Sequence, residues 1–498
     1  MATDALVAGR PIRQPIETSA LIDSAFDSIT YGKGGHVIAM IAAYLGEETF
    51  RDGVRRYLAA HRHGTATSSD FFRGLADAAG DNRIVAAMKG FVDQQGVPLL
   101  HIRRAGSRYE ITQTRYAPLG VSVPDTQWHI PFCVRKDHKK ICMLMEDGFG
   151  EISLPGPAPL VPNAGGTGYY RFDLDEQGWN ALVSRAASLS GGEAQATVDS
   201  LYARILAGGG GVAQLARLAR KLIQHRDSYA ADAAPDALGA LVDRGLVDPA
   251  GHQGWLRFRS RLYGPLLDKY GFDPRAGAYA NEPPELSQRR AQTVGKLIGT
   301  PRARKMERQL EKAAAAYLDG DQTALDPAWF EQAFDLHIAL GGAVAAKDLV
   351  ERALESEDPV FRPAAIEAAA TSGREEVARW LLSELNDDRL RANERRGLLQ
   401  GVMSRSSTRD YGYLWLMENL EEFTETQSGI FFASRLPAML SYFCSVERAD
   451  HFAQALRPRF AGKAGGLELE RAIERVRNCG VLDDRKGAEI SAGFARLR

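Results

Sequence analysis

The chain has 498 residues with 62 Lys plus Arg against 63 Asp plus Glu, a formal charge of -1. At roughly 100 to 200 residues per domain this predicts about three domains. A quarter of the residues are charged and 45% are hydrophobic, which disfavours disorder, a collagen-like fibre and a dedicated nucleic-acid binder. No run approaches ~18 consecutive apolar residues, and the first thirty lack the apolar core of a signal peptide, so neither membrane nor nucleic acid is expected as a partner.

The first hundred residues read as capped helices. Tyr31, Val37, Met40, Ile41, Tyr44 and Leu45 recur at helical spacing over Thr30 to Leu45. A second helix follows Gly46, with Phe50, Val54, Tyr57 and Leu58 on one face and Gly64 at the place of a C-cap glycine. Thr67 with Asp70 forms a capping-box pattern that opens a third helix. A fourth runs through Val85, Met88 and Phe91 and stops at Gly96-Val97-Pro98.

At Pro98 the periodicity switches from 3.6 to 2. Leu100, Ile102, Tyr109, Ile111, Trp128, Ile130, Phe132 and Val134 mark alternating strands, and the segment closes through Gly165-Gly166 into a strand over Tyr169 to Leu174. A small antiparallel β domain is expected. From Trp179 onward only helical periodicity remains, in segments joined by short Gly, Asp and Pro breaks. Asp358 to Ala369, a break at Gly373, then Val377, Trp380, Leu381 and Leu385 form one helix-turn-helix unit of about 30 residues, of HEAT type.

Four cysteines make no disulfide scaffold and no C-x-x-C pair. With Asp137-His138 as a two-residue turn, Cys133 faces Cys142 at a non-hydrogen-bonded site, where a cross-strand disulfide is geometrically easy. Two buried free thiols are the other reading, and the same choice holds for Cys444 and Cys479. If both pairs are oxidised, folding took place outside a reducing cytosol.

Gly208 to Gly211 match no phosphate-binding motif and read as an interhelical loop. Arg302, Arg304, Lys305, Arg308 and Lys312 form a basic helix face in a neutral chain, which reads as solvated. His61-x-His63 is the closest histidine pair and has no third ligand nearby in sequence. None of the ten histidines is followed by Glu, so H-E-x-x-H is absent.

The segment Phe26-Asp27-Ser28-Ile29-Thr30-Tyr31-Gly32-Lys33-Gly34, with Tyr44-Leu45-Gly46-Glu47-Glu48 and Phe50-Arg51-Asp52-Gly53, resembles the zinc aminopeptidases of the alanyl aminopeptidase (aminopeptidase N) family. The resemblance continues through Gln95-Gly96-Val97-Pro98, Trp128-His129-Ile130-Pro131 and Asn163-Ala164-Gly165-Gly166-Thr167-Gly168-Tyr169-Tyr170-Arg171. It implies a mainly α fold with a small β-sandwich. Residues 1–97 would be the C-terminal helical part of a thermolysin-like zinc peptidase domain, 98–175 a β-sandwich and 176–498 a helical domain with HEAT-like repeats.

The register of the resemblance places the family's exopeptidase motif, H-E-x-x-H and third glutamate ligand before Met1. Tyr31, in Tyr-x-Lys-Gly, is then the one catalytic residue expected here, with no metal or cofactor ligand. In the family a zinc-bound water attacks the peptide carbonyl, and a neutral phenol with pKa near 10 donates to the oxyanion. Without the resemblance, Tyr31 reads as a buried aromatic at a helix start. Lys33 reads as a surface or ion-paired side chain, Gly34 as a close-packing position, and Asp27 and Glu17 receive no role. The implied function is the C-terminal portion of a zinc aminopeptidase that removes N-terminal residues from peptides, inactive alone. Its expected partners are peptide substrates and the N-terminal part of the zinc domain. The alternative is a non-catalytic helical scaffold that binds peptides or a partner protein. Apolar helix faces left without the rest of the zinc domain would promote self-association.

Overall fold

The computed structural model describes residues 1–17, 22, 25–426 and 435–497, with the side chains of 422–426 left aside. The expected helical span 176–498 therefore includes positions 427–434 and 498, which lie outside the described residues. Two units are distinguished, Met1–Asp243 with Cys444–Ile490 and Arg244–Phe443 with Ser491–Arg498.

In the first unit a π-helical turn, Ile29–Lys33, leads into the helix Gly34–Leu45, and helices Glu47–Ala60, Ser68–Ala79 and Arg83–Asp93 follow. Ile41, Phe72, Leu75, Ile84 and Met88 form their common core, which is why their apolar residues recur at helical spacing. The Thr67 and Asp70 capping box is present, side chain to backbone in both directions. Gly64 is not the C-cap expected of it. The second helix stops at Ala60, and His63 takes the left-handed conformation (φ 60°) instead.

β1 (Pro98–Ala105) starts at the proline where the periodicity changes, and β2 (Arg108–Arg115) pairs with it antiparallel. With β5 (Phe149–Ser153) and β6 (Arg171–Leu174) they make a four-stranded sheet in the order β5-β2-β1-β6. Its β1-β6 pairing is parallel, so the sheet is not wholly antiparallel. β3 (Ile130–Lys136) and β4 (Lys139–Met145) form a separate hairpin, and the Met143 and Met145 side chains crowd against Gly150 of β5. The turn is Asp137-His138, with Asp137 at φ 50°, and Cys133 pairs with Cys142. Alternation fails on β3, buried on both faces. Trp128 precedes the strand rather than belonging to it: its backbone N–H donates to Gln113 Oε1 (3.0 Å) and its C=O accepts from Gln113 Nε2 (2.8 Å). That reciprocal pair satisfies a buried amide side chain that the β2 alternation turns inward.

Both cysteine pairs are disulfides, Cys133–Cys142 and Cys444–Cys479, and no described cysteine is free.

In the second unit helix follows helix from Pro249–Tyr270 to Arg409–Thr426. From Phe330–Glu355 onward each helix packs on the next and the next but one, as helices do when stacked in two layers. The expected helix-turn-helix unit is present as Phe361–Ala370 and Glu375–Ser383, with Gly373 left-handed between them (φ 68°). A polar ladder carries the register: Arg352 donates to the C=O of Leu318, Arg374 to Ala339, Arg405 to Thr371 and the Ser407 hydroxyl to Gly373. These partners are 34, 35, 34 and 34 residues apart, so each side chain satisfies a carbonyl one repeat earlier.

Candidate active-site wall around Tyr31

The Tyr31 turn is held from beneath by charge. Asp27 Oδ1 accepts from the backbone N–H of Ile29 (2.9 Å) and Thr30 (3.0 Å), and the Asp27 C=O accepts from the Tyr31 N–H (3.2 Å). Short acidic side chains favour such capping because the first N–H groups of a helix have no partner within it. Arg10 binds the same Oδ1 at 2.6 Å and the Thr30 hydroxyl at 2.7 Å. Asp27, given no role by sequence, is therefore the anchor of the turn.

Two residues beyond Tyr31, Lys33 points the opposite way. Only 1% of it is exposed. Its ammonium lies 3.0 Å from Asp4 Oδ2 and donates to the C=O of Gln94 at 2.7 Å. Asp4 also accepts from the Gly96 N–H and the Tyr169 hydroxyl, at 3.0 and 3.1 Å. Burial pushes the Lys33 pKa down, and the Asp4 carboxylate pulls it back up. The Tyr169 phenol is pushed up by the same burial and by Asp4. Of the two sequence readings of Lys33, the ion-paired one describes it. Gly34 is not a close-packing position, since a Cβ there would meet nothing within 4 Å. Gly96, by contrast, is closely packed: it stands at φ 108°, and a Cβ there would lie 2.6 Å from Arg115 Nε.

Tyr31 is 64% exposed, which removes the reading of a buried aromatic. Gly35, Ile38 and Ala39 are exposed along the same side of the helix, and Phe26 packs its ring 6.3 Å from that of Tyr31. Ile38 and Phe26 are 41% and 50% exposed. A wet tyrosine thus stands on an apolar helix face that no described residue of the chain covers. Large exposed apolar side chains gathered in one place mark interaction surfaces.

Among the described residues, no three His, Cys, Asp or Glu side chains converge as metal ligands. His36, the histidine nearest Tyr31 in sequence, sets Nδ1 3.1 Å from the Gly32 C=O. A zinc ion beside Tyr31 does not fit the donors that the described residues bring there.

The chain is mostly helical with a small sheet region, and similarity to known proteins shows its family. Residues 160–478 match the ERAP1-like C-terminal domain family and residues 1–93 the Peptidase family M1 domain. The chain belongs to the aminopeptidase N-like M1 family. It is 31% identical over 210 residues to Tricorn protease-interacting factor F2 of Thermoplasma volcanium, covering 42% of this chain and 26% of that one. A probable M1 family aminopeptidase 1 of Encephalitozoon cuniculi is 33% identical over 198 residues, 38% of this chain and 22% of that one. The puromycin-sensitive aminopeptidase of Caenorhabditis elegans is 31% identical over 200 residues, 38% and 21%. The matches span about a quarter of the length of these curated relatives.

Sequence reasoning missed Asp4, Arg10 and Asp27. The signal of Asp27 was weak, because an acidic residue two before a helix start is common, and Asp4 and Arg10 gain their meaning only from partners distant in sequence.

Proposed function

We propose that this chain is the C-terminal portion of a zinc aminopeptidase that removes N-terminal residues from peptides. Residues 1–97 would complete a thermolysin-like zinc domain, 98–175 would be its β-sandwich, and 176–498 a HEAT-like helical domain. M1 aminopeptidases are zinc enzymes in general. Here the metal ligands and general base would come from a segment carrying H-E-x-x-H, which docks on the apolar face of Tyr31, Gly35, Ile38 and Ala39. The Tyr31 hydroxyl would donate a hydrogen bond to the carbonyl oxygen as negative charge develops on it, which a neutral phenol can do at pH 7. The observation that supports this most is the 64% exposure of Tyr31 on a turn pinned by buried ion pairs. Two disulfides support folding in an oxidising compartment. No described helix is long and apolar enough to cross a membrane.

Co-expression with an M1 zinc-domain fragment that ends before the matched segment tests the proposal. A stable complex that hydrolyses an alanyl substrate, and loses turnover with Tyr31→Phe, is expected. No complex at tens of micromolar would overturn it.

A second reading, a helical scaffold that holds peptides or a partner protein, is favoured by a groove of about 370 Å³ on the helical array. Ile366, Glu367, Asn393, Gln400 and Tyr442 line it. Two relatives are named as protease-interacting factors, which suggests a protein partner for this chain. A chain that captures peptides without the zinc-domain fragment would favour this reading.

A further inference from the structure

The anchor of the Tyr31 turn is reached from the far end of the sequence. Arg471, on the helix Gly466–Ala495, is 1% exposed and places Nη1 3.0 Å from Asp27 Oδ2. The same Nη1 binds Glu468, and Nε donates to the Ala8 C=O at 3.3 Å. Asp27 is thus held by two guanidinium groups, Arg10 on Oδ1 and Arg471 on Oδ2, while Oδ1 caps the Ile29 and Thr30 N–H groups. Three segments of the chain, carrying Arg10, Asp27 and Arg471, meet at one carboxylate. If Arg471 is removed, one oxygen of a nearly buried carboxylate loses its charged partner, and the carboxylate can rotate away from the N–H groups it caps.

We infer that Arg471 is a positioning residue for Tyr31, acting through Asp27, so that the helix Gly466–Ala495 sets where the phenol stands. This rests on the reading of Tyr31 as the donor, but the position of the ring can be measured without any reaction. Arg475 and Glu474 on the same helix make a useful contrast. Arg475 donates to the Thr3 hydroxyl, and Glu474 accepts from the Val7 and Ala8 N–H groups, at 2.7 Å each. Neither of these contacts reaches Asp27, so they separate a specific relay from general loosening of the helix.

The test places 3-fluorotyrosine at position 31 of the 498-residue chain and follows its ¹⁹F signal together with amide exchange at Ile29, Thr30 and Tyr31. Arg471→Met is expected to move the signal toward that of a solvated, averaged ring and to speed exchange at the three amides at least about tenfold, because it strips a nearly buried carboxylate oxygen of its ion-pair partner. Arg471→Lys, which keeps the charge and loses the planar fork, should restore part of the wild-type signal. Glu474→Gln should leave both signals unchanged. Wild-type signals in Arg471→Met, or an equal change in Glu474→Gln, would overturn the inference. If the methionine variant fails to fold, Arg471→Lys decides by the same two signals: a displaced resonance supports the relay and an unmoved one refutes it. Should the relay hold while Tyr31→Phe leaves hydrolysis by the reassembled enzyme intact, the positioning stands and the donor role falls.

Discussion

Gly166 and Gly192 meet backbone to backbone: a Cβ on Gly166 would collide with the carbonyl and Cα of Gly192, and one on Gly192 with the carbonyl of Gly165. Gly166 also stands at φ 71°, where an L side chain is strained. The helix Gly191–Leu206 therefore starts in contact with the turn that leads to β6. Gly166→Ala is predicted to destabilise the first unit by about 2 to 3 kcal/mol, through strain and overpacking together. Urea unfolding followed by tryptophan fluorescence reads this. A change under about 0.5 kcal/mol, the range of ordinary surface substitutions, would contradict it.

Arg362 and Glu394 tie successive repeats of the array. Two N–H groups of the guanidinium reach the carboxylate at 2.7 and 2.9 Å, and others reach the carbonyls of Leu354 and Arg389. Burial pushes the Glu394 carboxyl up, but Arg362 and the Arg391 N–H hold it below its ordinary value. Removing one partner of a buried pair strands the other, so Arg362→Met should cost about 3 to 5 kcal/mol. Arg362→Met with Glu394→Met should cost clearly less than the sum of the single changes, as a double-mutant cycle would show.

Asp335 is pushed up to about 6 by burial, with Glu331 and Glu367 adding to the effect and Arg405 opposing it. The folded chain therefore holds this proton more tightly than the unfolded chain, where the value is near 3.8. Stability from this group falls as pH rises from about 4 to about 6 and stays reduced above that. Asp335→Asn should raise stability at pH 7.5 by up to about 3 kcal/mol and leave it unchanged well below the unfolded value of 3.8. An equal gain at both pH values would rule out the titration.

Thiol titration of unfolded, never-reduced protein should find none of the four thiols free. Reduction should then lower stability, chiefly through Cys444–Cys479, which closes 35 residues and is worth about 3 to 4 kcal/mol. Four titratable thiols would sink the disulfides and the oxidising compartment with them.

Much of this was legible in the sequence because the signals were local. The Thr67 and Asp70 box, the switch at Pro98 and the Asp137-His138 register each depend on a few neighbouring residues, and each is present. What could not be read depended on distant partners. Asp27 is informative only once Arg10 and Arg471 are beside it, 17 and 444 residues away by number. The alternation on β3 disappears because both its faces are covered by other parts of the chain. Gly64 failed as a cap because His63 accepts the left-handed conformation itself.

The most direct test is zinc content measured together with hydrolysis of an alanyl chromogenic substrate, on the purified 498-residue chain with and without added zinc. Substoichiometric zinc and no turnover are expected, because no three ligating side chains converge among the described residues. One tightly bound zinc per chain, with turnover abolished by Tyr31→Phe, would contradict it.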